Sequence, residues 1–252
     1  MTSNNPSNQV ANKSYSPTNL VSSILHRFSQ YYSRTKSYIY DAIILHMTET
    51  WYRSVLSKLD NNSIILDVGV GTGGALLKSI DLIQQKELKI VGIDIDEAYV
   101  SAGKLSIQQL GMEDRISIDV VDVYGDKSHV MRLAKKLGAQ ENEDGQFIDA
   151  VYFSGSFSLL PNPVKALQLV SKYIKNDGCI YITQTYQRKT PFFLPYIKPW
   201  MKYVTTIDFG NLVREEEVLE TFKESDLEVL EHDVIPRSVD NIMQAAYLSV
   251  LR

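Results

Sequence analysis

The stretch Ile64-Ile65-Leu66-Asp67-Val68-Gly69-Val70-Gly71-Thr72-Gly73-Gly74 joins an apolar run, a carboxylate and a cluster of glycines. Glycines suit a backbone that must turn sharply and approach a ligand with no Cβ in the way. The amphipathic run Ala75 to Gln85 follows and reads as a helix whose first N–H groups point at whatever the turn holds. Strand, turn and helix in that order suit a nucleotide-like molecule. The spacing Gly69-x-Gly71-x-x-Gly74 satisfies the dinucleotide fingerprint, with Asp94 at about the ~20-residue distance expected of a ribose-binding acid. Spacing alone therefore leaves the ligand open.

The carboxylate two residues before the first glycine tips the balance. Asp67 beside an anionic pyrophosphate would be repelled, whereas beside an ammonium or a sulfonium it is favourable. With Gly73 included, the run is Asp-x-Gly-x-Gly-x-Gly and resembles the first motif of the class I S-adenosylmethionine-dependent methyltransferases. In that family the acid sits near the methionine end of the cofactor, partly by way of water. The resemblance implies S-adenosyl-L-methionine as cofactor, cradled by Asp67, Gly69, Gly71 and Gly73.

The order of segments downstream keeps the same likeness. Leu88 to Asp96 is an apolar strand ending in acids, and the resemblance implies that Asp94 accepts the ribose hydroxyls while Ile95 packs on the adenine. A carboxylate suits a vicinal diol because its two oxygens can take two donors, and strand ends line the ligand crevice of open α/β sheets. In Arg115 to Val123, Asp122 and Val123 match the positions that meet the adenine, the acid at its exocyclic amine and the next backbone N–H at a ring nitrogen. Gln146 to Phe157 reads as the fourth strand and its loop, which in the family lies under the transferable methyl group. Ser154 there is a candidate cofactor or substrate contact, or simply a small residue at a crowded strand end. Phe157 is a substrate-side candidate. Asp96 and Asp119 read as capping or surface carboxylates, and Asp149 as a strand-entry residue. The resemblance spans roughly 61–186 and, weakly, the C-terminal hairpin.

Strands around Ile64, Ile90, Ile118, Val151 and Ile180 alternate with helical patterns at Ala75–Gln85, Glu97–Leu110, Met131–Leu137 and Pro163–Ile174. Such alternation predicts an α/β fold with a doubly wound, mostly parallel sheet. Two closing strands, 227–235 and 245–251, fit the antiparallel finish of a seven-stranded methyltransferase sheet; a dinucleotide-binding fold usually closes with a parallel sixth strand. The charged segment ending in Gln140 to Gln146 reads as a solvated loop. We expect a disordered tail over 1–19, a helical N-terminal cap over 20–60, and a cofactor-binding domain over 61–252 with a lid insertion at about 186–208.

Substrate choice should reside in the cap and the lid, because loops over a rigid sheet supply specificity. The cap is rich in aromatics, among them Tyr31, Tyr32, Tyr38, Tyr40, Trp51 and Tyr52. Its alternative role is plain packing on the sheet. Tyr40 is a substrate-side candidate, and His46 a candidate base or a partly buried, hydrogen-bonded histidine. The lid opens at Tyr186, also a pocket candidate, and mixes large apolar groups with Arg188, Lys189, Lys198 and Lys202. It suits a lid, a peripheral membrane contact or a partner site. Prolines 191, 195 and 199 oppose one long amphipathic helix and so favour the lid.

At 252 residues with 44% hydrophobic composition, the chain can build one large core. A net charge of −4 argues against a broad nucleic-acid surface, since phosphate neutralisation needs clustered Lys and Arg. No apolar run reaches the ~18 residues of a membrane span, and the first residues lack an apolar signal core. We expect a cytoplasmic protein. Cys179, the single cysteine, excludes an internal disulfide and reads as strand packing. No metal-ligand cluster is evident.

Methyl transfer from a sulfonium is an in-line displacement helped mainly by proximity, alignment and exclusion of water. The fourth-strand loop reads Ser154-Gly155-Ser156-Phe157 and lacks the Asn/Asp-Pro-Pro-aromatic motif of many amino-directed nucleic-acid and protein methyltransferases. A small, partly apolar acceptor is the expectation, with no residue assigned as base. Two other readings stay open here: a catalytically silent cofactor-binding subunit that regulates a partner, and an NAD(P)-dependent oxidoreductase, which would lack a Tyr-x-x-x-Lys pair in the usual place.

Overall fold

The computed structural model describes residues 46–188 and 214–252. All of them fall within one compact unit, Leu45–Arg252. The expected tail, the first part of the cap with Tyr40, and most of the lid lie outside the described residues.

The chain enters with helix α1 (46–58). It continues through β1 (Ile64–Val68), α2 (Gly74–Leu77), α3 (Ile80–Gln85), β2 (Lys89–Asp94), α4 (Glu97–Gln109), β3 (Ile116–Val120), α5 (Lys127–Lys136) and β4 (Ile148–Ser154). After these come α6 (Pro163–Val170), β5 (Ile174–Gln187), α7 (Glu215–Glu224), β6 (Val229–Val234) and β7 (Gln244–Leu251). The seven strands form one sheet in the order β3-β2-β1-β4-β5-β7-β6. Strands β1 to β5 are parallel. β7 runs antiparallel between β5 and β6, as the closing pair of apolar segments anticipates.

Both faces of the central part of the sheet are covered, which is why β1, β2 and β4 are largely apolar and buried. Ile64, Leu66 and Val68 of β1 join a core with Leu133 of α5, Leu167 of α6 and Phe222 of α7. Ile65 points the other way, into a core with Val55 and Leu56 of α1, Ile83 of α3 and Ile107 of α4. The period of two along the strand places Asp67 on this second face, among the residues packed against α1.

Local capping fixes the elements that frame the crevice. Asp96 caps α4 by accepting from the backbone N–H groups of Ala98 at 2.8 Å and Tyr99 at 3.1 Å, as expected of an acid in that place. Asp149 ties strand entries together: it accepts from Ile64 N at 2.7 Å and pairs with Lys175 Nζ at 2.8 Å. Asp119 lies at the surface, paired with Lys104 and Arg132. Cys179 is half-buried against the second core.

Three expectations need correction. The single helix over Ala75–Gln85 is broken into α2 and α3, the second preceded by Ser79, whose carbonyl accepts from Leu82 and Ile83 N–H. The helix over Pro163–Ile174 ends at Val170 and tightens into a 3-10 turn, Ser171–Tyr173. Strand β5 does not stop before Tyr186, because its ladder to β7 continues through Tyr186↔Ala245 and Gln187↔Gln244.

Candidate functional site

At the carboxyl end of β1 the backbone turns through Gly69, Gly71 and Gly73, each at positive φ (77, 57 and 67°). The turn is held against β2, since the N–H groups of Gly69 and Val70 donate to the Ile93 carbonyl at 2.8 and 3.1 Å. The three glycines differ in their surroundings. A Cβ on Gly69 would lie 3.0 Å from Ser156 Oγ and closer still to Ser156 Cβ. A Cβ on Gly71 or Gly73 would meet nothing within 4 Å among the described residues. Gly69 is thus required by packing against the loop after β4, where the Ser156 hydroxyl donates to the Val68 carbonyl. Gly71 and Gly73 instead border open space.

Asp94, the last residue of β2, joins the two halves of this crevice. Its Oδ2 accepts from Gly71 N at 2.8 Å and its Oδ1 from Asp96 N at 2.9 Å. Each carboxylate oxygen can take a second donor. The next residue, Ile95, is 75% exposed. An apolar side chain so placed is available for a planar ring. Asp122 is exposed, with Oδ1 accepting from Tyr124 N at 2.9 Å. Val123 buries its side chain in the core beside α5, which leaves its backbone as the part that could meet a ligand. The glycine turn and the ends of β1, β2 and β4 are thus brought to one edge of the sheet, with Asp122 just beyond β3.

Asp67 is the most constrained of these groups. It is 1% exposed, and its Oδ2 accepts from the Tyr52 hydroxyl at 2.6 Å. Its Oδ1 is buried with no hydrogen-bond partner among the described residues. Burial pushes the Asp67 carboxyl up to about 7, while the Tyr52 hydrogen bond pulls it down and the nearby Asp94 charge adds to the rise. Beside this pair, the Tyr152 ring meets Tyr52 edge-on at 5.0 Å, and the Tyr152 and Thr183 hydroxyls are 2.8 Å apart. Ser154 Oγ lies close to the Tyr52 and Tyr152 hydroxyls but is buried without a well-formed hydrogen bond. A buried carboxylate oxygen without a partner among the described residues, two residues before the glycine turn, fits the ammonium or sulfonium end of S-adenosyl-L-methionine.

Three substrate-side candidates are placed elsewhere than expected. Phe157 is 2% exposed and packs on Phe153 and Phe222 at centroid distances of 5.5 and 5.9 Å. It is part of the core and not a pocket wall, because the 3-10 turn Phe157–Leu159 folds it under the loop. Tyr186 is fully buried within β5, against Tyr247 and His232. The His46 side chain is 81% exposed, 3.9 Å from Glu49, so it is neither a buried histidine nor one held by a carboxylate in the crevice. Replacing Phe157 with leucine should lower stability in urea unfolding by about 1–2 kcal/mol through lost ring contacts and volume, with S-adenosylmethionine affinity unchanged. A pocket wall would give the opposite pattern.

Sequence reading missed Tyr52 as the partner of Asp67 and Ser156 as the support of Gly69. Tyr52 stood among many tyrosines, and only the docking of α1 singles it out. Ser156 carried a usable signal, because a serine two residues after the fourth strand is short enough to reach a neighbouring strand carbonyl. Trp51, the neighbour of Tyr52 in α1, donates from Nε1 to Ser238 Oγ at 2.9 Å.

Comparison with known proteins agrees with this fold. A family model described as a methyltransferase domain matches residues 59–246. Among solved structures, the fold is similar to the [4+2]-cyclase SpnF at 15% identity and a TM-score of 0.59, covering 81% of this chain and 80% of the cyclase. It is similar to a SAM-dependent methyltransferase from Geobacter sulfurreducens in complex with S-adenosyl-L-homocysteine, at 15% identity and a TM-score of 0.53, with 81% and 90% of the two chains covered. A third likeness is to the geranyl diphosphate C-methyltransferase from Streptomyces coelicolor, at 11% identity and a TM-score of 0.55, with 81% and 77% covered. At such identities the likeness concerns the fold. No curated protein sequence gives a significant match.

Proposed function

Because the chain belongs to the class I S-adenosylmethionine-dependent methyltransferases, we propose that it methylates a small, partly apolar acceptor, with Asp67, Gly69, Gly71, Gly73, Asp94, Ile95, Asp122, Val123 and Ser154 forming the cofactor side of the site. When bound, S-adenosylmethionine supplies an electrophilic methyl on a sulfonium. The protein's part is to bind, align and exclude water. Asp94 is suited to the ribose diol, Ile95 to the adenine face, Asp122 and the Val123 backbone to the adenine edge, and Asp67 to the cationic end.

The observation that carries the acceptor class is the loop after β4. It turns inward, committing Ser156 to the Val68 carbonyl and Phe157 to the core, so neither of these side chains is available to grip a flipped base or a planar side-chain amide. Apolar groups stand exposed after successive parallel strands instead: Ile95 after β2, Val120 at the end of β3 and Leu159 after β4. Such a rim favours an acceptor with apolar surface. Among the described residues no helix is long and apolar enough to cross a membrane, and no cluster of three metal-ligating side chains occurs.

Incubation with methyl-tritiated S-adenosylmethionine and a fractionated cell extract tests this reading. Label is expected in the solvent-extractable small-molecule fraction. Label confined to protein or nucleic acid would overturn it.

A further inference from the structure

Tyr52 and Asp67 form a buried acid–phenol pair that neither the glycine motif nor the fold requires. Tyr52 lies in α1, before the strand that carries Asp67. The hydroxyl donates its proton to Oδ2 at 2.6 Å, leaving Oδ1 desolvated and without a hydrogen-bond partner among the described residues. A lone anionic oxygen in such a place is costly unless a cation or a proton arrives. The charged and titratable groups that face the pair are Asp94 from the end of β2 and Tyr152 from β4. Among the described residues no lysine, arginine or histidine acts on Asp67. Burial with no cationic neighbour among the described residues therefore favours the protonated carboxyl over the ionised one.

We propose that Tyr52 is a positioning residue through which α1 becomes part of the cofactor site: it holds Asp67 with one oxygen free for the cationic end of S-adenosylmethionine, and capture of that cation expels one proton from Asp67. The inference rests on the methyltransferase reading and adds to it a proton-linked capture step. Its sign follows from charge. A bound cation favours the ionised carboxylate, so below the point where Asp67 titrates, binding must displace a proton and weakens as pH falls. Above that point the carboxylate is already ionised and the dependence levels off. With burial placing Asp67 at about 7, affinity should rise about eightfold between about pH 6 and about pH 7.5. The range ends there because an α-amino group on the ligand begins to lose its own proton near ~7.7–8.0.

Calorimetric titration of S-adenosylmethionine over this range, in two buffers of different ionisation enthalpy, reads both affinity and protons released. The wild-type chain should release close to one proton at about pH 6 and only a minor fraction at about pH 7.5. Asp67→Asn should bind more weakly with no pH dependence. Tyr52→Phe loses the hydrogen bond that favours the ionised form, so its affinity should fall and its pH dependence should steepen over the same range. Adenosine, which carries neither cation, should bind the wild-type chain with no pH dependence.

Tight S-adenosylmethionine binding that is flat with pH would overturn the proton link and leave the methyltransferase reading standing. An unchanged pH profile in Tyr52→Phe would overturn the positioning role, and an equal slope for adenosine would assign the proton to another group. Absence of S-adenosylmethionine binding at every pH would remove the reading on which the inference rests.

Discussion

Replacing Asp94 with alanine should weaken S-adenosylmethionine binding by about 100-fold or more. The carboxylate is expected to accept two ribose hydroxyls, and hydrogen bonds to a charged group are worth about 1.5–3 kcal/mol each, with about 1.4 kcal/mol per tenfold in affinity. The same side chain also holds the glycine turn, through Gly71 N at 2.8 Å, and the start of α4, through Asp96 N at 2.9 Å. Its loss therefore loosens the receiving surface as well as removing the acceptor. Because Asp94 is only partly buried, the fold should survive with a stability loss of about 1–2 kcal/mol in urea unfolding. Weakened binding in a folded variant separates a ligand role from a structural one. Asp94→Asn, which keeps one acceptor oxygen, should fall between alanine and wild type.

The glycines of the turn should divide by what surrounds them. Gly69→Ala sets a side chain at φ 77° directly against Ser156. Left-handed strain costs about 1–2 kcal/mol and overpacking about 1–3 kcal/mol more, so a total loss of about 2–5 kcal/mol should appear in urea unfolding. Gly73→Ala carries similar strain at φ 67° but meets open space. Its stability should drop by only about 1–2 kcal/mol, while S-adenosylmethionine affinity falls steeply because the new methyl occupies the crevice. Gly71→Ala should behave like Gly73→Ala. Equal loss of binding in all three, with equal stability, would mean that the open space beside Gly71 and Gly73 is not the ligand's.

The parts of the candidate site that sequence made legible are those built from neighbours along the chain. Asp67 with its glycines, Asp94 with Ile95, and Asp122 with Val123 each sit at or just after a strand, and the parallel topology delivers strand ends to one edge. The closing antiparallel pair was equally readable, because two apolar runs with a short connection have few other arrangements. What the sequence concealed depends on contacts between distant segments. Tyr52 meets Asp67 only because the apolar side of α1, including Val55 and Leu56, docks on the second face of the sheet. Phe157 follows Ser-Gly-Ser, a run that reads as an exposed loop, yet it folds inward against Phe222 from α7. Tyr186 reads as the start of a lid until its pairing with Ala245 extends the strand. In each case the local pattern was ambiguous and a tertiary partner resolved it.

The crevice should hold S-adenosylmethionine by its cationic and ribose ends, and this is tested most directly by calorimetric titration of the purified protein with S-adenosylmethionine, S-adenosylhomocysteine and NADH. The structure leads us to expect micromolar or tighter binding of the first two, abolished or strongly reduced in Asp94→Ala, and no binding of NADH. Binding of NADH alone, or S-adenosylmethionine binding that is indifferent to Asp94, would contradict the account.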